Sequence, residues 1–196
     1  MQRRFFLTGA TALTALFTAG PSLALTKASA QALIDQLSKD ILSVINTGKT
    51  GAPLYKEFDK IFGKYAPVSA IAKKCLGPIW NSTSKSDQKA YVRAFRGYIS
   101  RKYGKLFREF IGSTINVKSA KAVKSGYLVK SRVKLASGSP FAVDWQVYER
   151  NGKTQFYDLY LEGTSMIKSE RIAIGIMLDK SGGKVSRLIP LLKKAG

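Results

Sequence analysis

"WQVYERNGKTQFYDLYLEGTSM", residues 145–166, alternates apolar and polar side chains on both sides of an Asn151-Gly152 pair, then ends in a glycine and small hydroxyl residues. Alternation with a period of two marks a strand with one buried face, and Asn-Gly is a strong short-range signal for a tight hairpin turn. The stretch therefore predicts two antiparallel strands sharing an apolar face that carries Trp145, Val147, Tyr157, Leu159 and Leu161. The chain around it is strongly basic, with 33 Lys and Arg against 12 Asp and Glu and a formal net charge of +21. The fold turns on what so apolar a strand pair is built to cover.

Working outward, the same period extends to four strands, near 113–122, 126–136, 140–150 and 153–162. In "GYLVKSRVKLASG", residues 126–138, Tyr127, Val129, Val133 and Leu135 share one face, while Lys130, Arg132 and Lys134 share the other. "SPFAVDWQVYER", residues 139–150, repeats the pattern with Phe141, Val143, Trp145 and Val147. On both flanks the period becomes 3.6. Thr26 is placed to cap a helix whose apolar residues, from Ala32 through Leu37 and Ile41 to Ile45, recur at three and four until Gly48. Shorter amphipathic pieces follow near 53–62 and 68–76, and Ser84 can cap a long helix over 84–110. Its stripe is Tyr91, Phe95, Tyr98, Ile99, Leu106 and Phe110. After Gly163 the chain returns to helix at about 166–179 and closes with a basic one at 184–194. Helices, then an antiparallel meander, then helices describe an α+β domain: a sheet of about four strands with helices packed over one face.

The residues present exclude much chemistry. There is no histidine, so the commonest general base and metal ligand is missing. Cys75 is alone in an apolar run, which reads as a buried thiol rather than a nucleophile or zinc ligand. The "GKT" at 48–50 lacks the preceding glycine and strand of a phosphate-binding loop. Asp158 and Glu162 fall on one side of a strand under alternation and read as a charged strand face rather than an acid–base pair. The arginines interleaved with aromatics in "YVRAFRGYISRKYGKLFREF", residues 91–110, read as the solvated face of an amphipathic helix. No catalytic array, metal site or cofactor is expected. The net charge attracts anions of any kind, whether nucleic acid, lipid head groups or an acidic protein.

The first 24 residues have a basic start, an apolar middle, then Pro21 and small side chains, the layout of a secretory signal peptide. Arg3-Arg4 before Phe5, Phe6 and Leu7 resembles a twin-arginine signal, from which Gln2 and Thr8 depart. Cleavage is expected after Ala24, since the alternative after Ala30 would cut into the first helix. Residues 25–196 then form a single periplasmic or secreted domain, which argues against nucleic acid as the partner. An apolar sheet face under helices is required equally by a solid core and by a hollow one. On the residues alone the chain is an exported basic module, either a binder of an apolar anion or an adhesion or scaffold module with a solid core.

Two stretches go further. In "YAPVSAIAKKCLGPIWNSTSKSDQKAYVRAFRGYISRKYGKLF", residues 65–107, Ile71, Ala72, Leu76, Gly77, Trp80, Phe95 and Tyr103 hold the places of a recurring pattern. In "QFYDLYLEGTSMIKSERIAIGIM", residues 155–177, Asp158, Glu162, Gly163, Ser165 and Arg171 do the same. Both resemble the MlaC, or toluene-tolerance, family of periplasmic phospholipid-binding proteins. Phe156, Ala66 and Ile174 depart from that pattern, where the family commonly has tryptophan, aspartate and phenylalanine.

The resemblance implies a carrier rather than an enzyme. It would shuttle a phospholipid between an inner-membrane ABC transporter complex with its lipid-domain subunit and an outer-membrane lipoprotein complex, maintaining outer-membrane lipid asymmetry. A hopanoid is the alternative cargo. The residues expected to border the acyl chains are Leu76, Trp80, Phe95, Tyr98, Ile99, Tyr103, Val129, Val133, Val143, Trp145, Val147, Tyr157, Leu159 and Ile174, with Arg132 and Arg171 toward the head group.

Overall fold

A computed structural model of the chain describes residues 25–136 and 138–196. The leader expected over 1–24 lies outside the described residues. Helix α1 (Lys27–Ile45) opens with a reciprocal cap: the Thr26 hydroxyl accepts from the Ser29 amide at 3.1 Å, and the Ser29 hydroxyl accepts from the Thr26 amide at 2.9 Å. It is followed by α2 (Gly51–Tyr65), α3 (Val68–Leu76), a single turn α4 (Ile79–Ser82) and the long α5 (Lys85–Phe107). Ser84 caps α5 through the Asp87 amide, as its position predicts. A 3-10 turn, Arg108–Phe110, leads into the sheet.

The strands are β1 (Thr114–Val123), β2 (Gly126–Lys134), β3 (Phe141–Arg150), β4 (Lys153–Leu161) and β5 (Thr164–Ser165), ordered β1-β2-β3-β4-β5 and antiparallel throughout. Helices α6 (Met166–Lys180) and α7 (Val185–Lys194) complete the chain. The expected α+β class and the four-strand meander are present, with a two-residue fifth strand added. Helix α1 lies across β1 to β4, α2 and α7 flank α5, and α3 packs against both α5 and α6. Val129, Val133, Val143, Trp145 and Val147 are all at most 1% exposed, so the shared apolar face of β2 and β3 is the base of the core.

The hairpin turn works for the reason its sequence states. Asn151 and Gly152 both have positive φ, 53° and 69°, which the twist of a two-residue hairpin loop requires. Glu162 and Gly163 repeat the solution at 46° and 78°, turning β4 into β5. Glu162 therefore sits in a turn, not on a strand face, and its carboxylate accepts the Ala142 amide.

Strand β4 departs from simple alternation. Gln146 pairs with Asp158 but the next residue, Val147, pairs with Phe156, so Tyr157 is an extra residue bulged out of the ladder. Phe156 is thereby brought to the buried side opposite Val147, where its ring meets Trp145 edge-on at 5.6 Å. Alternation alone puts Phe156 outside and Tyr157 in phase with Leu159; the bulge overturns that expectation.

Candidate functional site

Between the sheet and the helices lies an apolar cavity of about 60 Å³. Its strand side is Trp145 from β3 with Phe156, Tyr157 and Leu159 from β4. Its helix side is Leu37 and Ile41 of α1, Phe58, Ile61 and Phe62 of α2, Ile71 of α3, and Phe95, Ile99, Tyr103 and Phe107 of α5. The aromatic rings brace one another: Phe58 stacks on Phe107 at 5.7 Å, and Phe62 meets Tyr103 edge-on at 5.9 Å. Trp145 is fixed from the other side, its indole N–H donating to the Ser131 hydroxyl at 3.1 Å, which in turn donates to the Val143 carbonyl. A buried indole without that acceptor would leave its N–H unpaired, so Ser131 supports the tryptophan's orientation.

Two carboxylates stand at the α6 end. Asp158, 7% exposed, accepts the amides of Leu159 at 2.8 Å and Ile167 at 3.1 Å and the hydroxyl of Ser165 at 2.6 Å. Ser165 also caps α6 through the Lys168 amide. The sequence reading of Asp158 as part of a charged strand face is thus corrected: it is a buried acceptor binding β4 to the start of α6. Glu170, 2% exposed, accepts the hydroxyls of Tyr98 at 2.7 Å and Tyr103 at 2.8 Å and the ammonium of Lys102 at 2.6 Å. Burial, and secondarily the Glu170 charge, pushes Tyr98 and Tyr103 above the ordinary phenol range. Burial first, then Glu170 and Asp158, pushes the Cys75 thiol up to about 12, so it is held as an inert thiol.

Outside the cavity, across Tyr157, runs an open groove of about 820 Å³. Lys73 and Lys74 of α3 line it, with Tyr127 of β2 and Gln146, Tyr148, Glu149 and Arg150 of β3. Tyr157 lines both spaces. Gly126, at φ 102°, lies so close to β3 that a Cβ there would stand 2.1 Å from the Val147 carbonyl oxygen. Among the described residues no group of three His, Cys, Asp or Glu side chains could hold a metal ion, and no helix is long and apolar enough to cross a membrane.

Of the residues singled out from sequence, Phe95, Ile99, Tyr103, Trp145, Tyr157 and Leu159 meet around the cavity. Val129, Val133, Val143, Val147, Leu76 and Ile174 are buried but do not line it; they form the packed layers around it. Tyr98 turns its hydroxyl to Glu170, and the half-buried Trp80 packs edge-on to Tyr91 at 6.5 Å. Arg132 is exposed on β2 and Arg171 is exposed beside Gly77; neither lines cavity or groove.

Several lining residues were not singled out. Phe58 and Phe62 share a helix face by their spacing, and Glu170 falls in the apolar stripe Ile167, Ile174, Leu178, where a lone carboxylate is itself a signal. Alternation gave no such signal for Phe156, because nothing local announces the bulge; the one pointer was that it holds the place of an aromatic in the family pattern.

The family model described as MlaC protein matches residues 35–194. Among solved structures, the fold is similar to a phospholipid-binding protein from Ralstonia solanacearum, solved in complex with a phospholipid. The two chains are 19% identical with a TM-score of 0.69, over 84% of this chain and 95% of that one.

Proposed function

Since the chain belongs to the MlaC family, we propose that it is a periplasmic phospholipid carrier rather than an enzyme. The observation that carries this reading is the apolar cavity between sheet and helices, whose two lining carboxylates, Asp158 and Glu170, are satisfied by protein donors, in a fold shared with a protein solved with phospholipid bound. Phe95, Ile99, Tyr103, Trp145, Tyr157 and Leu159 border the acyl chains, together with Phe58 and Phe62 from the helix side and Phe156 from the strand side. Each methylene moved from water contributes about 0.8 kcal/mol, so two chains are held firmly against loss to water. A bilayer offers the same apolar surroundings, so release there needs no covalent step.

Size constrains the mechanism. Ligand pockets usually measure roughly 300–1,000 Å³, against about 60 Å³ here. Uptake of a lipid therefore requires the helical wall of α1, α2 and α5 to part from the sheet. The carrier receives and delivers cargo between an inner-membrane ABC transporter complex and an outer-membrane lipoprotein complex, and so maintains lipid asymmetry. Removal of residues 1–24 accompanies export and leaves a mature domain of net charge +19, suited to anionic membrane surfaces.

Native mass spectrometry of protein purified from the periplasm tests the reading. Co-purified phospholipid at about one molecule per chain is expected, with a new N-terminus near Leu25. Bare protein after repeated gentle preparations counts against the carrier, and a triterpenoid mass would identify a different cargo.

A further inference from the structure

We propose that the groove beside Tyr157 seats the phosphate of the carried lipid's head group on Lys73, Lys74 and Arg150, so that the chain selects phosphate-bearing lipids over uncharged ones with the same acyl chains. This rests on the carrier reading above and assigns the polar half of the same ligand. Continuity is the first support. Tyr157 is common to cavity and groove, and α3 turns Ile71 to the cavity while Ala70, Lys73 and Lys74 face the groove. An amphiphile with its chains in the cavity would find these cations at the place where its polar end emerges.

Charge is the second support. Lys73, Lys74 and Arg150 are exposed, and among the described residues none of the three pairs with a carboxylate. A second groove shares Ala70, Tyr148 and Arg150 with the first and adds Lys153. The one carboxylate lining either groove is Glu149, whose Oε2 is buried without a hydrogen-bond partner, so its single negative charge stands against the three cations. Lys73 is also positioned, its ammonium lying 5.9 Å above the Trp80 ring. Lysines in the last turn of α3 complement the helix dipole. That explains Lys73 and Lys74 but not Arg150, which comes from β3 to the same groove. A phosphodiester, with its oxygens held by two ammoniums and a guanidinium, fits this set.

The test compares transfer from vesicles of phosphatidylglycerol, phosphatidylcholine and diacylglycerol with matched chains. The proteins are the wild type, K73Q/K74Q/R150Q, and the charge-matched control K39Q/K180Q/K184Q, whose changes are exposed and lie off the groove. Wild type is expected to take both phosphate-bearing lipids at least tenfold better than diacylglycerol. The groove variant should lose that preference with diacylglycerol binding and thermal unfolding unchanged, while the control keeps it.

Retained preference in the groove variant overturns the seat. An equal loss in the control reduces the effect to net charge and overturns it too, as does parallel loss of diacylglycerol binding. Competition by millimolar glycerol phosphate would make the groove a free-anion site instead of a head-group seat. Failure of wild type to bind any of the three lipids would overturn the carrier reading, which is a separate result from failure of the selectivity.

Discussion

Asp158 and Glu170 are both buried carboxylates at the α6 end of the cavity, yet they are satisfied in opposite ways. Asp158 takes its donors from its own neighbourhood, none more than nine residues along the chain. Glu170 takes all of its donors from α5, 67 to 72 residues earlier. The first shapes a turn and forms with it; the second exists only once two distant helices have docked. A carboxylate bound by nearby amides is a local fixture. One bound by side chains of another helix is a tie between moving parts, and this tie closes one side of the cavity.

The largest effect is expected from Glu170→Leu, which leaves two buried phenol hydroxyls without an acceptor. At about 1–3 kcal/mol for each orphaned group, the loss of stability should be near 3 kcal/mol by urea unfolding. Lys102, whose side chain is 36% exposed, can turn to water and adds little. Adding Tyr98→Phe and Tyr103→Phe to Glu170→Leu should restore most of the loss, since removing both partners of a buried bond is nearly neutral. No recovery would mean that Glu170 acts through something other than these phenols.

Asp158→Asn should cost less, roughly 1–2 kcal/mol, because an amide keeps one acceptor and loses only the charge-assisted part of the bonds. Its mark is locality: faster amide hydrogen exchange at Leu159 and Ile167, with α5 unchanged. If α5 amides exchange faster as well, the contrast between the two carboxylates is lost.

Leu159→Trp sharpens the contrast from the cavity side, since Leu159 adjoins Asp158 but faces the apolar space. Lipid content should fall while stability changes by less than about 1 kcal/mol. Overpacking a solid core would instead cost about 1–3 kcal/mol, with lipid content unchanged.

The smallest effect is read by alkali. Cys75, Tyr98 and Tyr103 all have folded-state values raised above their ordinary ones, chiefly by burial. The unfolded chain therefore releases these protons first, and stability should be complete below about pH 9 and decline as pH rises above it. Glu170→Gln removes the charge that adds to this, so tyrosinate absorbance should appear at lower pH than in Asp158→Asn. Identical titrations in the two variants would deny that Glu170 is the carboxylate coupled to these phenols.

The sheet and helices were legible because their apolar residues keep one period over many positions; β3, with Val143, Trp145 and Val147 in line, is the clearest case. Five residues that the pattern supplies, Phe95, Ile99, Trp145, Tyr157 and Leu159, meet at the cavity, and Tyr103, taken from the family resemblance, joins them. Patterning stops short where burial does not decide function: Val129 and Trp145 are cross-strand partners on one face, but only the tryptophan reaches the cavity. It fails where a partner is remote in sequence, as at Glu170, or where one extra residue changes the phase, as at Phe156.

Tyr157 is that extra residue, and its consequence lies in where its own ring is put. Because a strand repeats every two positions, one inserted residue shifts the phase of everything on its far side. Deleting Tyr157 would leave Phe156 two positions from Leu159, so a regular β4 would still hold both side chains inside, opposite Val147 and Trp145. What would be lost is the ring that lines both the cavity and the groove. The irregularity is therefore not what keeps the wall apolar; it seats a side chain at the seam between the two spaces.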